Sequence, residues 1–104
     1  MLDQFESIPR LSSKEALILG TLINKGELYG LQMVEESGGK LKRGTVYVTL
    51  SRMQEKGYIT SRQEEKRPEA IGLPRRLYRP EAHGVRVLRA WERLAADLVP
   101  EVAG

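Results

Sequence analysis

The chain contains no cysteine, which excludes disulfide staples, thiolate metal sites and cysteine nucleophiles together and fits a reducing compartment such as the cytoplasm. It has one histidine, His83. With no thiolate and no second imidazole, a transition-metal site within one chain is not expected, nor is a cofactor. Long hydrophobic runs are missing as well. The stretch from Ala16 to Ile23 is interrupted by Gly20 and Thr21 and falls short of the ~20 residues that a membrane-spanning helix needs. Asp3 and Glu6 are unlike the basic start of a secretory signal. G-x-S-x-G, a phosphate-binding glycine loop and a nucleophile-base pairing are all absent. The carboxylate pairs Glu35-Glu36 and Glu64-Glu65 are adjacent in sequence, so they diverge on a helix or strand and read as surface charge. No enzyme is expected.

What is present suits one folded domain. The chain has 104 residues, 40% hydrophobic and 30% charged, too short for two independent cores but rich enough for one. Lys and Arg number 17 against 14 Asp and Glu, a net charge of +3. The excess is uneven: Lys40, Lys42, Arg43, Arg52 and Lys56 surround one segment, and Arg62, Lys66, Arg67, Arg75, Arg76 and Arg79 another. A basic stripe of this kind is an electrostatic footprint for nucleic acid when it falls on one surface.

Ser12-Ser13-Lys14-Glu15 has the spacing of a capping box and predicts a helix start. Leu17, Ile18, Leu22 and Ile23 give that helix an apolar stripe, and Gly26 provides its C-terminal stop. Before it, Leu2, Phe5 and Ile8 are spaced three apart, which suggests a short amphipathic arm limited by Pro9. From Tyr29 to Ser37, Leu31 and Val34 inside with Gln32, Glu35 and Glu36 outside predict a short second helix, ended by Gly38-Gly39. A third runs from Arg43 or Gly44 to Lys56, with Val46, Leu50 and Met53 buried and Gly57 as its stop. The period then becomes two. Ile59 to Gln63 reads as a strand, residues 65 to 75 with Pro68, Gly72 and Pro74 as a turn-rich loop, and Arg76 to Arg79 as the returning strand. A last helix spans Glu81 to about Val99. Its apolar face of Val87, Leu88, Trp91, Leu94, Ala95 and Leu98 is wider than one small domain needs, as expected if it also packs on a second helix in a homodimer.

The order α-α-α-β-β-α, mainly α with a small β-hairpin wing, is that of a winged helix-turn-helix followed by a C-terminal dimerisation helix. The expected division is an N-terminal arm at 1–11, a winged-helix DNA-binding domain at 12–80 and the dimerisation helix at 81–104. In such folds the third helix enters the major groove while the wing reaches neighbouring backbone. With Val46, Leu50 and Met53 inward, Thr45, Val48, Thr49 and Arg52 face outward. Arginine can read guanine bidentately, threonine can donate or accept, and valine can touch a thymine methyl.

Leu41 to Ile59, reading LKRGTVYVTLSRMQEKGYI, resembles the recognition-helix segment of PadR-type transcription regulators, whose pattern is roughly L-S-P-G-T-L-Y-x-x-L-x-R-L-x-x-x-G-L-I. Gly26-Glu27-Leu28-Tyr29-Gly30 is similar to that family's G-x-x-[HY]-G turn into the second helix, and Pro74 to Arg79 to its P-R-[KR]-x-Y-x strand after the wing. The resemblance spans nearly everything from Leu17 to Leu98. It implies a bacterial dimeric regulator, usually a repressor, that binds a partly palindromic double-stranded operator and often responds to small aromatic compounds. By position it implies DNA-facing roles for Thr45, Tyr47 and the neighbouring Gly44, for Tyr29 at the start of the second helix, and for Arg75 at the wing base.

Two departures stand out. Lys42-Arg43 replaces the family's Ser-Pro, so a side-chain cap is lost and two cations sit at the positive end of the helix dipole, costing roughly 0.3–1 kcal/mol per nearby charge. A bound phosphate reverses that cost, so both cations are expected to grip DNA backbone. Ile71 and Leu73 make the wing tip apolar, which weakens the expectation for Lys66, Arg67 and Arg75. Trp91 reads first as a packing residue of the dimer core and second as a stacking wall for a flat aromatic effector. The rival functional reading is a winged helix that binds protein and not DNA, since fold alone does not fix function.

Overall fold

The computed structural model describes residues 8–65 and 75–98. Helix α1 (Ser13–Lys25) starts at the capping box: the Glu15 amide donates to the Ser12 hydroxyl (3.1 Å) and the Ser12 amide to the Glu15 carboxylate (2.8 Å). Two of the orphan donors of the first turn are thereby satisfied. Ile18, Leu19 and Leu22 are fully buried, while Leu17 and Ile23 flank them as partly buried side chains. Gly26 takes φ +88° at the end of α1 and donates its amide to the Leu22 carbonyl at 2.8 Å.

The next residues hold an element that no periodicity announced. Leu28–Tyr29 form a two-residue strand, β1, before α2 (Gly30–Glu36). This entry by way of a strand sets the rotation of a helix only two turns long. Gly30 and Met33 turn inward, Val34 is half-buried, and Leu31 is 40% exposed. The expectation that Leu31 lies inside is therefore corrected: Met33 takes its place in the core. Ser37, buried behind α2, donates to the Val34 carbonyl (2.7 Å) and accepts from the Leu41 amide (2.9 Å), so it closes the turn made by Gly38 and Gly39.

Helix α3 (Arg43–Glu55) buries Val46, Leu50 and Met53, as their spacing predicts. Gly57, at φ +77°, reverses the chain into β2 (Ile59–Gln63), which pairs antiparallel with β3 (Arg76–Pro80). The register sets Ser61 opposite Tyr78 and Arg62 opposite Leu77. Strand β1 adds to the far side of β3, with Leu28 opposite Tyr78, so the sheet order is β1-β3-β2. The mainly helical chain with a small antiparallel sheet matches the expected winged-helix class, with β1 as an additional strand. The connecting residues 66–74, including Lys66, Arg67 and the apolar tip, lie outside the described residues, as do Leu2 and Phe5 of the expected arm.

Helix α4 (Ala82–Leu98) crosses back over α1. Val87 and Leu88 enter the same core as Ile18, Leu22 and Leu50. Gly84 allows this approach, because a Cβ there would lie 2.2 Å from the Tyr58 carbonyl oxygen. Trp91 packs partly against the core and donates its indole N–H to the Pro9 carbonyl (2.7 Å), while the buried Tyr58 hydroxyl donates to the Arg10 carbonyl (2.7 Å). Residues 9 and 10 are thus pinned between the α3–β2 junction and α4. No described helix is long and apolar enough to cross a membrane.

Candidate nucleic-acid interface

Burying Val46, Leu50 and Met53 commits the inner stripe of α3 and leaves its remaining sides to solvent. Arg43, Gly44, Thr45, Ser51 and Arg52 are exposed, with Tyr47 at 48% and Val48 at 52%; Thr49 is half-buried. Thr49 returns its hydroxyl to the Thr45 carbonyl (3.4 Å). Lys42 occupies the N-cap without a side-chain capping bond, and the first turn holds no acidic residue. Uncompensated amides and two cations therefore face solvent at the start of α3, an arrangement that favours an anion.

The exposed part of α3 stands as a ridge between two clefts. One, of about 390 Å³, lies against the start of α1 and is lined by Lys14, Thr45, Val48, Thr49, Arg52 and Lys56, with Ser12 and Glu15. Here Lys56 pairs with the buried Glu15 carboxylate at 2.7 Å. Burial works to raise the Glu15 pKa, but the bonds from Lys56 and Ser12 outweigh it and hold the group below its ordinary value.

The second cleft, of about 670 Å³, opens between α2, the start of α3 and the base of the β2–β3 hairpin, and Tyr29, Tyr47, Tyr78, Arg43, Arg75 and Arg76 supply its rings and cations. The Tyr47 ring lies across Gly30, where a Cβ would come within 2.7 Å of it. Burial, and then Tyr47, push the Tyr78 hydroxyl pKa up. At the rim, the Arg75 guanidinium sits 4.3 Å from the Tyr29 ring centroid, a cation–π contact. The Tyr29 hydroxyl donates to Glu64, whose other carboxylate oxygen faces Arg75 Nε at 3.6 Å. That hydrogen bond, with burial and the carboxylate charge, raises the Tyr29 pKa. Alongside, Arg62 forms a bidentate pair with Glu27 (2.9 Å for each bond), which holds the Glu27 carboxyl low.

The fold thus brings Arg43, Gly44, Thr45, Tyr47, Val48, Thr49 and Arg52 onto one helix with Lys42 at its N-cap, and Tyr29 and Arg75 share a cleft with Arg43 and Tyr47. The six residues expected at a dimer or effector surface divide. Val87 and Leu88 are buried in this chain's own core, Trp91 and Leu94 are half-buried, and Ala95 and Leu98 are exposed, Leu98 at 69%. Sequence reasoning counted Arg76 in the second basic cluster and in a strand but not among the DNA-binding residues, and read Glu64 as surface charge. Lys14 was not singled out at all. The signal for Arg76 is its adjacency to Arg75 at a strand start; for Glu64 and Lys14 no local signal exists. Among the described residues, no group of three or more His, Asp or Glu side chains could hold a metal ion.

Similarities to known proteins agree with this architecture. A PadR family regulator from Eggerthella lenta DSM 2243 superposes with TM-score 0.66 at 27% identity, over 80% of this chain and 71% of that one. Bacillus subtilis PadR, solved in complex with operator DNA, gives 0.65 at 27% identity, over 77% of this chain and 47% of that one. A PadR family regulator from Clostridium difficile R20291 gives 0.65 at 25% identity, over 86% and 96%. No curated protein sequence matches. The family model described as Transcriptional regulator PadR-like family matches residues 18–90, the span from the first core residue of α1 to the middle of α4, and the chain belongs to that family of transcription regulators.

Proposed function

We propose that this chain acts as a homodimeric, sequence-specific regulator that docks α3 in the major groove of a partly palindromic operator and represses by occupying the promoter. The carrying observation is the α3 ridge: an uncapped cationic start at Lys42-Arg43, followed by the exposed Thr45, Val48 and Arg52, with basic side chains in the clefts on both sides. Phosphate contacts from the cations would set register, and the ridge would read base edges. The B. subtilis relative crystallised with operator DNA supports this assignment. Arg75, and with it Lys66 and Arg67, would serve the wing.

The second subunit would pack on α4 through Ala95 and Leu98, with Leu94 and Trp91 at the margin, while Val87 and Leu88 serve the protomer. The domain division follows: an arm at 1–11, the winged helix at 12–80, and a terminal helix at 81–104 whose first half completes the winged-helix core. A small aromatic effector would act at the dimer surface near Trp91. Quenching of the indole fluorescence by planar aromatic compounds would support that site, and indifference to a broad panel would remove it.

The test is a titration of the protein against the promoter upstream of its own gene and a scrambled duplex over a salt series. Salt-dependent binding that favours the promoter by about 1,000-fold or more establishes the reading. A protein-interaction module would show no salt-dependent affinity for either duplex.

A further inference from the structure

Tyr29 has one hydroxyl proton, and in this structure it goes to Glu64, not outward to solvent. The same carboxylate faces Arg75, whose guanidinium is stacked over the Tyr29 ring, and the Glu64 amide donates to the Arg75 carbonyl at 2.7 Å to close the hairpin base. Two donors suited to a DNA phosphate therefore converge on an anion that the protein supplies itself. We propose that Glu64 is an intramolecular stand-in for a DNA phosphate: it holds Tyr29 and Arg75 in phosphate-binding geometry in the free regulator, and a phosphodiester of the operator backbone displaces it. The proposal rests on the DNA-binding reading above and adds a competitor to it.

Three features make displacement feasible. The ion pair is exposed, with the Arg75 side chain 68% accessible, and such pairs contribute little to stability. A phosphodiester, like a carboxylate, offers two anionic oxygens to a guanidinium and a hydroxyl. The cleft beside the cluster adds Arg43 and Arg76, against Glu35 as the carboxylate that lines it, so an entering phosphate meets more cations than Glu64 does. Glu64 would then lower affinity for every duplex, and so keep the regulator from being held by non-operator DNA.

The experiment compares the wild-type protein with Glu64→Gln, Glu64→Asp, Tyr29→Phe, the Tyr29→Phe/Glu64→Gln double variant and Glu65→Gln, a change at the exposed neighbouring carboxylate. Each is titrated against the promoter and scrambled duplexes over the salt series, with melting temperatures recorded. Glu64→Gln should bind both duplexes about fivefold tighter and steepen the dependence of log K on log salt by up to about one. Glu64→Asp keeps the charge but retracts the carboxylate by one methylene, and should also tighten binding; it carries the test if the Gln variant does not fold. Glu65→Gln should change affinity by less than about twofold, and the gain should shrink in the Tyr29→Phe background, where Arg75 is the one donor left for Glu64 to release. The proposal is overturned if Glu64→Gln gains no more than Glu65→Gln while Glu64→Asp matches wild type, since charge alone then explains the effect. Weaker binding by Glu64→Gln at an unchanged melting temperature also overturns it, because Glu64 would then support DNA binding and not compete with the phosphate. If wild type binds neither duplex, the DNA-binding reading itself has failed and takes this one with it.

Discussion

Lys56, at the C-terminal end of α3, donates a 2.7 Å hydrogen bond to the Glu15 carboxylate, whose second oxygen caps the first turn of α1. The pair ties the proposed recognition helix to the helix beneath it through a buried acceptor. Lys56→Met strands that carboxylate with the Ser12 amide as its remaining charge-stabilising partner, and should cost about 1–3 kcal/mol in urea unfolding. The acid dependence has a defined sign. The Glu15 pKa is depressed in the folded state from 4.5, so its contribution is complete above that value and is lost as pH falls through the lower folded value. Melting temperature should drop below pH 4.5 more steeply in wild type than in Glu15→Gln, and parallel acid limbs would contradict this.

The glycines at 84 and 30 predict contrasting costs. A Cβ at Gly84 meets Tyr58 backbone at 2.2–2.9 Å, whereas at Gly30 it meets the ring of Tyr47. Backbone cannot step aside without moving β2 off α4, so Gly84→Ala should lose about 3 kcal/mol or more. The Tyr47 ring, half-exposed, can swing away. Gly30→Ala should therefore cost only about 1 kcal/mol yet weaken DNA binding, because Tyr47 leaves its place beside Arg43. Denaturant titrations and binding curves on the two variants separate these outcomes.

At the start of α3 stability and binding should move in opposite directions. Replacing Lys42 and Arg43 together by alanine removes two cations from the positive end of the helix dipole, which should raise the melting temperature slightly. It also removes the two proposed phosphate contacts. Affinity for promoter and scrambled duplex should fall alike, and the salt slope should flatten by about two. Binding unchanged by the double substitution would remove these residues from the interface.

The exposed end of α4 gives a test of assembly. If Ala95 and Leu98 meet a second subunit, Leu98→Glu should shift the sedimenting species from dimer toward monomer at micromolar concentration and weaken operator binding, while thermal stability of the protomer changes little. A wild-type chain that sediments as a monomer would end the dimer proposal.

Much of the fold was legible because its signals are local. A capping box spans four residues, a buried helical stripe repeats every three or four, and Gly26, Gly38, Gly39 and Gly57 each stop an element with a positive φ that other residues resist. These set the limits of α1, the ends of α2 and α3 and the start of β2, and turned Val46, Leu50 and Met53 inward, which by exclusion pointed Thr45, Val48 and Arg52 outward. The outer face of α3 was therefore readable from its inner one.

Other features were decided only when distant segments met. Strand β1 is too short for a period to register and exists because β3 offers an edge to Leu28 and Tyr29. Its pairing in turn rotates α2, so that Met33 goes inside and Leu31 does not. The wide apolar face of α4 was visible as composition, but which half belongs to the protomer depends on how closely Gly84 lets the helix approach Tyr58. The Glu15–Lys56, Tyr29–Glu64 and Pro9–Trp91 contacts join residues 41, 35 and 82 positions apart. A hydrogen bond acts over about 3 Å of space whatever the chain separation. Local sequence therefore determined most of the elements and the Ser12–Glu15 cap, and tertiary packing alone chose the distant partners of Glu15, Tyr29 and Trp91.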